Sequence, residues 1–166
     1  MVASVQRMEL EEKELTRAKD AAYRYLTYRP RSRAEVETRL REKGFDEAVI
    51  NVAISALIRL GYLNDEKFAR LWAENRVRFR AFGRRRIERE LREKGIDSSI
   101  VLQALAGVFT PDIEIETAEK AAAVKLKGMK SCDRDTRHRR LAGFLERKGF
   151  PYDVIRAVVK KSDFKE

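Results

Sequence analysis

Hydrophobic positions recur along this chain in a pattern that appears three times. Leu40-Arg-Glu-Lys-Gly44-Phe45 returns as Leu91-Arg-Glu-Lys-Gly95-Ile96, and again as Leu145-Glu-Arg-Lys-Gly149-Phe150, with the glycines 51 and 54 residues apart. Eight residues before each glycine stand Val36, Ile87 and Leu141, and four before stand Leu40, Leu91 and Leu145. After it come Val49-Ile50, Ile100-Val101 and Val154-Ile155, then Ala53-Ile54, Ala104-Leu105 and Val158-Val159. Apolar residues four or five apart, with polar residues between, mark one stripe of a 3.6-residue period. Each Lys-Gly pair therefore reads as the end of one helix. The lysine suits the negative C-terminal dipole and the glycine supplies a left-handed residue after it. The next helix starts at once, near Asp46, Asp97 or Pro151-Tyr-Asp153, and Ser32-Arg-Ala-Glu35 reads as a capping box opening the helix before Lys43.

A further helix precedes each pair: from about Leu10 to Tyr28, from Asp65 to about Arg80, and from Asp112 to about Lys127. In the second of these, Phe68, Leu71, Trp72 and Phe79 fall on one face, so Phe79 is expected in the core. The fold expected is all-α, three tandem three-helix repeats over 1–63 (with an N-terminal extension), 64–110 and 111–166. Sets of about 50 residues bury their stripes poorly alone. Stacking into an elongated, curved helical array follows, a form whose concave face suits large partners.

Composition narrows the function. The chain has 166 residues, one cysteine and one histidine. A lone cysteine makes no internal disulfide, so a reducing cytoplasm is the expected setting. No apolar run reaches the roughly 18 residues of a membrane helix, and the acidic N-terminus lacks the form of a signal peptide. A single His removes most zinc and Ser-His-Asp chemistry. His138, within Arg137-His-Arg-Arg140, is expected to be polar, exposed and non-catalytic; Cys132 is expected to be inert. Asp133 and Asp135 read as a helix start and not as a carboxylate pair. No Walker A or dinucleotide glycine pattern occurs. The expectation is a protein that is not an enzyme, has no cofactor or metal, and is a monomer.

Charge changes the picture most. Lys and Arg number 37 against 27 Asp and Glu, a surplus of 10. Residues 1–63 contribute a surplus of 2, residues 64–110 and 111–166 a surplus of 4 each. The densest run is Arg76, Arg78, Arg80, Arg84, Arg85 and Arg86, six arginines in eleven residues with no acid among them. Read plainly, such a run is a solvated helix end and turn. Read functionally, it is a contact strip for phosphate or for an acidic groove. Phe82, just before Gly83, is the aromatic expected to be exposed and able to stack on a base. Tyr62 reads as structural, closing one helical set on the next.

Taken in order, Arg29-Pro-Arg-Ser32, Lys43-Gly44-Phe45, Gly61-Tyr62-Leu63-Asn64-Asp65 with Phe68-Ala69, Gly83, Arg86-Ile87, Glu90-Leu91 and Lys94-Gly95-Ile96 resemble the RecX regulatory proteins of bacteria. The match runs over roughly residues 16 to 105, and Lys148-Gly149-Phe150 extends it. Asn64-Asp65 departs from the family's Asp-Asp, and Val108 to Asp133 carries little family signal. The resemblance implies three tandem three-helix repeats and a modulator of the RecA recombinase. Such a protein binds the RecA–DNA filament along its groove and inhibits ATP hydrolysis, strand exchange and co-protease activity in DNA repair, recombination and the SOS response. It also lifts Arg29, Arg31 and Arg33 to binding candidates beside the 76–86 run. A stand-alone basic helical protein binding single- or double-stranded DNA is the alternative; a helical adaptor unrelated to recombination and an enzyme rank behind it.

Overall fold

The computed structural model describes residues 2–129 and 133–162. Among them the chain forms nine helices and no strand: α1 (Val2–Tyr28), α2 (Arg33–Glu42), α3 (Glu47–Arg59), α4 (Asp65–Arg80), α5 (Arg84–Glu93), α6 (Ser98–Val108), α7 (Pro111–Leu126), α8 (Arg134–Lys148) and α9 (Tyr152–Lys161). The three sets of three expected from the repeat are present. Cys132 lies outside the described residues.

The boundaries follow from local chemistry. Ser32 caps α2 with its side chain accepting from the Glu35 N–H, while the Glu35 carboxylate accepts from the Ser32 N–H, a complete capping box. Asp97 caps α6 through the Ser99 N–H, and Asp133 caps α8 through the Thr136 N–H. Asp46 occupies the same place before α3 without a side-chain bond. Gly95 and Gly149 take φ of +72° and +90°, the left-handed conformation that ends α5 and α8. The first helix begins well before Leu10. Met8 and Leu10 are exposed, so no buried stripe marked this stretch as helical in the sequence.

The repeated apolar positions are the core. Val36, Ile87, Leu141, Leu40, Leu91 and Leu145 are all fully buried. The structure divides into two compact units, one of residues 1–68 with 94–96, the other of 69–93 with 97–166. In the first, Ala18 and Ala22 of α1 let that helix approach Val36 and Leu40 of α2 and Ile50, Ile54 and Leu57 of α3. In the second, Ala118, Ala121 and Ala122 of α7 do the same against Leu141, Leu145, Val154 and Val158 of α8 and α9.

Three residues sit elsewhere than expected. Phe79 shares the Phe68 direction but lies on the last turn of α4, where nothing covers it, and it is 69% exposed. Tyr62 is also exposed and meets Tyr23 of α1, in its own three-helix set, edge to face at 4.9 Å. His138 is half-buried. It stands three residues before Leu141, so it flanks the buried stripe of α8 and is partly covered.

Candidate partner-binding surface

The arginine run is built on the last turns of α4, a three-residue turn and the first turn of α5, all in the second unit. No acid lies within the run, but Glu90, on the next turn of α5, supplies one. Its Oε2 accepts from Arg76 Nε at 2.7 Å and from Trp72 Nε1 at 3.0 Å, and Arg86 Nε reaches its Oε1 at 3.5 Å. The Arg76 guanidinium also lies 4.1 Å from the Trp72 ring centroid. Partial burial pushes the Glu90 carboxyl upward, but the bonds from Arg76 and Trp72 outweigh it and hold the group below its ordinary range. Arg84 donates to the Phe109 carbonyl at 3.2 Å and lies 3.9 Å from Glu114.

Half of the run is thus engaged within the molecule. The other half is not. Arg78, Arg80 and Arg85 are exposed and have no ion pair among the described residues. Arg78 lies 5.2 Å from the centroid of the exposed Phe79 ring, so the accessible aromatic of this surface is Phe79.

Phe82 was expected in that role and is half-buried instead. Ala81 takes a positive φ of 47°, which breaks α4 and turns the chain back. The Phe82 ring then lies under two cations, with the Arg86 guanidinium 3.8 Å and the Lys148 ammonium 4.9 Å from its centroid. Lys148 Nζ donates to the Arg80 carbonyl at 2.6 Å. Its backbone carbonyl accepts from the Gly83 N–H at 2.8 Å, and the Gly149 carbonyl accepts from the Arg85 N–H at 3.0 Å. Burial pushes the Lys148 ammonium down, and the positive charges of Arg86 and Arg80 push it the same way.

Arg29, Arg31 and Arg33 lie in the first unit. Arg29 Nη2 donates to Glu35 Oε1 at 2.7 Å, Arg31 Nη1 lies 3.7 Å from that oxygen, and Arg33 Nε donates to Glu37 at 2.6 Å. Arg31 is largely covered and stacks over Tyr25 at 4.0 Å. Glu35 also accepts from Lys94 Nζ at 3.2 Å. Burial raises this carboxyl, while the Arg29, Ser32 and Lys94 bonds lower it further than burial raises it. Arg29 and Arg33 keep exposed N–H groups; Arg31 keeps very few.

The sequence reading missed Lys148 and misplaced Phe79. Lys148 is part of the Lys-Gly signature and looked like a helix-ending residue; only the fold carries it to Phe82. Among the described residues no three His, Cys, Asp or Glu side chains gather to hold a metal, and no helix is long and apolar enough to cross a membrane.

All-α among the described residues, and built of three-helix domains with an exposed, arginine-rich arm, this is a modular helical-repeat protein. Family models match it three times: the first RecX three-helix domain at residues 18–57, the second at 64–105 and the third at 112–159. The regulatory protein RecX of Amycolatopsis mediterranei is 35% identical over 150 residues, covering 90% of this chain and 85% of that protein. That of Streptomyces coelicolor is 36% identical over 145 residues, covering 87% of this chain and 77% of that one. The crystal structure of RecX from Lactobacillus salivarius aligns with a TM-score of 0.84 at 27% identity, over 92% of this chain and 99% of that chain. The chain belongs to the RecX family of regulatory proteins.

Proposed function

We propose that this chain binds the RecA–DNA nucleoprotein filament in the bacterial cytoplasm and inhibits its ATP hydrolysis, strand exchange and co-protease activity. The observation that carries the reading is the match to all three RecX domains in order, set beside a cationic arm that is left partly uncompensated. Arg78, Arg80 and Arg85 are the residues of that arm free to meet an acidic groove or phosphate, with Phe79 beside them. Arg76, Arg84 and Arg86 hold the arm's shape, and Arg29, Arg31 and Arg33 stand as a second, more compensated contact set. No step of ATP chemistry is assigned to this chain, so its effect on ATP hydrolysis acts through the partner.

Replacing Arg78, Arg80 and Arg85 together by Ala tests the arm directly, because none of the three has an ion pair to lose. Inhibition of RecA's DNA-dependent ATPase is expected to require several-fold more variant than wild type, at unchanged helicity and thermal midpoint. An unchanged inhibition curve removes the arm from the interface.

The exposed Phe79 beneath Arg78 supports a second reading, direct binding of single-stranded nucleic acid by stacking and charge. On that reading, affinity for bare single strands falls with salt by roughly 0.7 log units per tenfold salt increase for each phosphate neutralised.

A further inference from the structure

The Lys-Gly turn is received twice by the start of a second helix, and the two receptions carry opposite charge logic. In the first unit, Ser32 Oγ donates to the Lys94 carbonyl at 2.7 Å and Lys94 Nζ donates to Glu35 at 3.2 Å. In the second unit, the Gly83 N–H donates to the Lys148 carbonyl at 2.8 Å. Counting along the repeat, Gly83 stands where Ser32 does, Lys148 where Lys94 does, and Arg86 where Glu35 does. The carboxylate that receives the lysine in the first case is an arginine in the second.

The result is a cluster of cations short of negative charge. Arg86 and Lys148 face the same Phe82 ring, 3.8 Å and 4.9 Å from its centroid, and Lys148 bonds the backbone of Arg80. Glu90, the carboxylate that pairs with Arg86, already accepts from Arg76 and Trp72. Arg86 donates from Nε to Glu90 and from Nη1 to the Arg147 carbonyl, both at long range. This leaves its Nη2, two protons of Lys148 and the whole guanidinium of the exposed Arg80 without acceptors among the described residues. Like charges gathered on a half-buried ring repel one another, and an anion bound among them relieves that repulsion.

We propose that Arg80, Arg86 and Lys148, gathered around Phe82, form a binding site for a phosphate group. A phosphate offers three or four acceptor oxygens, and arginine and lysine together supply a fork and a point charge to hold it. One carboxylate would neutralise one of three cations and satisfy few of the remaining N–H groups. The inference refines the arm on which the proposed function rests, but its test contains no recombinase, so either can fail without the other.

The test is a titration of the full chain, carrying 13C-labelled lysine, with inorganic phosphate at ionic strength held constant with chloride. The Lys148 side-chain resonance should move saturably, and its titration should shift to higher pH with phosphate bound. Arg86→Glu, which places the carboxylate of the first reception in the second, should abolish the saturable movement. Arg80→Ala, at an exposed position, should weaken it several-fold without disturbing the fold. A movement that is linear in phosphate, or identical in both variants, overturns the proposal. A second titration uses a short oligothymidylate without terminal phosphates. The same Lys148 movement there identifies the phosphodiester backbone as a source. Movement with inorganic phosphate alone restricts the site to free phosphate or phosphomonoesters.

Discussion

One carboxylate, Glu90, decides which arginines of the arm are available. By accepting from Arg76, Trp72 and Arg86 it engages Arg76 and Arg86 in ion pairs and leaves both only partly exposed. Glu35 pairs in the same way with Arg29, which stays exposed, and with Lys94, which is largely covered. Both carboxyls are held below their ordinary range, so each contributes stability that is present above the unfolded carboxyl value of about 4.3 and is lost as pH falls through the lower folded value. Glu114 is the opposite case. Burial raises it, Arg84 at 3.9 Å lowers it by less than burial raises it, and its Oε1 is buried without a partner. Its charged form therefore costs stability, a cost relieved as pH falls through its raised value. Glu114→Gln should raise the thermal midpoint at pH 7 and lose that advantage on acidification, whereas Glu35→Gln should lower the midpoint at pH 7 and converge on wild type in acid. Melting curves between pH 7 and pH 3.5 check both; parallel curves for the two variants would contradict the assignment. At this scale the sequence was least legible. Periodicity gave the direction of Phe79 but not whether anything covers the last turn of α4, and proximity to Gly83 did not reveal that Ala81 turns Phe82 inward under Arg86 and Lys148.

Elements were read far more fully from the sequence, because the information is local and repeated three times. The Leu-x-x-Lys-Gly turn and its flanking apolar residues appear in the structure as helix, left-handed glycine and helix each time, and every repeated leucine is buried. Leu91→Ala should cost about 2–5 kcal/mol, as a fully buried leucine does; near-zero loss in denaturant unfolding would mean the repeat register is wrong. What the repeat could not show is that its turns are not equivalent. Gly44 and Gly95 share a positive φ, but a methyl group at Gly44 meets nothing, while one at Gly95 would lie 2.4 Å from the Ala34 Cβ. Gly44→Ala should therefore cost only the left-handed strain, about 1–2 kcal/mol. Gly95→Ala should cost about 1–3 kcal/mol more, because Ala34 must move. Equal losses would place the Lys94–Ile96 turn away from the start of α2. The reception of Lys94 and Lys148 by helix starts more than fifty residues away was invisible in sequence for the ordinary reason that it is a tertiary contact, though Glu35 and Arg86 occupying one repeat position was a readable sign that the two differ.

For the whole molecule, the surplus of 10 positive charges is concentrated after residue 63, and the structure sorts it further into charges already answered and charges left open. Arg78, Arg80 and Arg85, with the Arg86–Lys148 cluster, are the open ones. That sorting could not be read from the run of six arginines, since the acids answering them, Glu90 and Glu114, lie outside it. Membership of the RecX family turns a generic polyanion binder into a proposed regulator of a nucleoprotein filament. Because the arm also suits the phosphates of bare DNA, binding to the filament has to be separated from competition for DNA. The most direct measurement is RecA's DNA-dependent ATPase, titrated with this protein at fixed RecA while single-stranded DNA is raised from limiting to large excess. A filament ligand predicts that inhibition tracks the ratio of this protein to RecA and survives the excess DNA. Inhibition that disappears as free DNA is added would contradict the account, leaving competition for DNA as its cause.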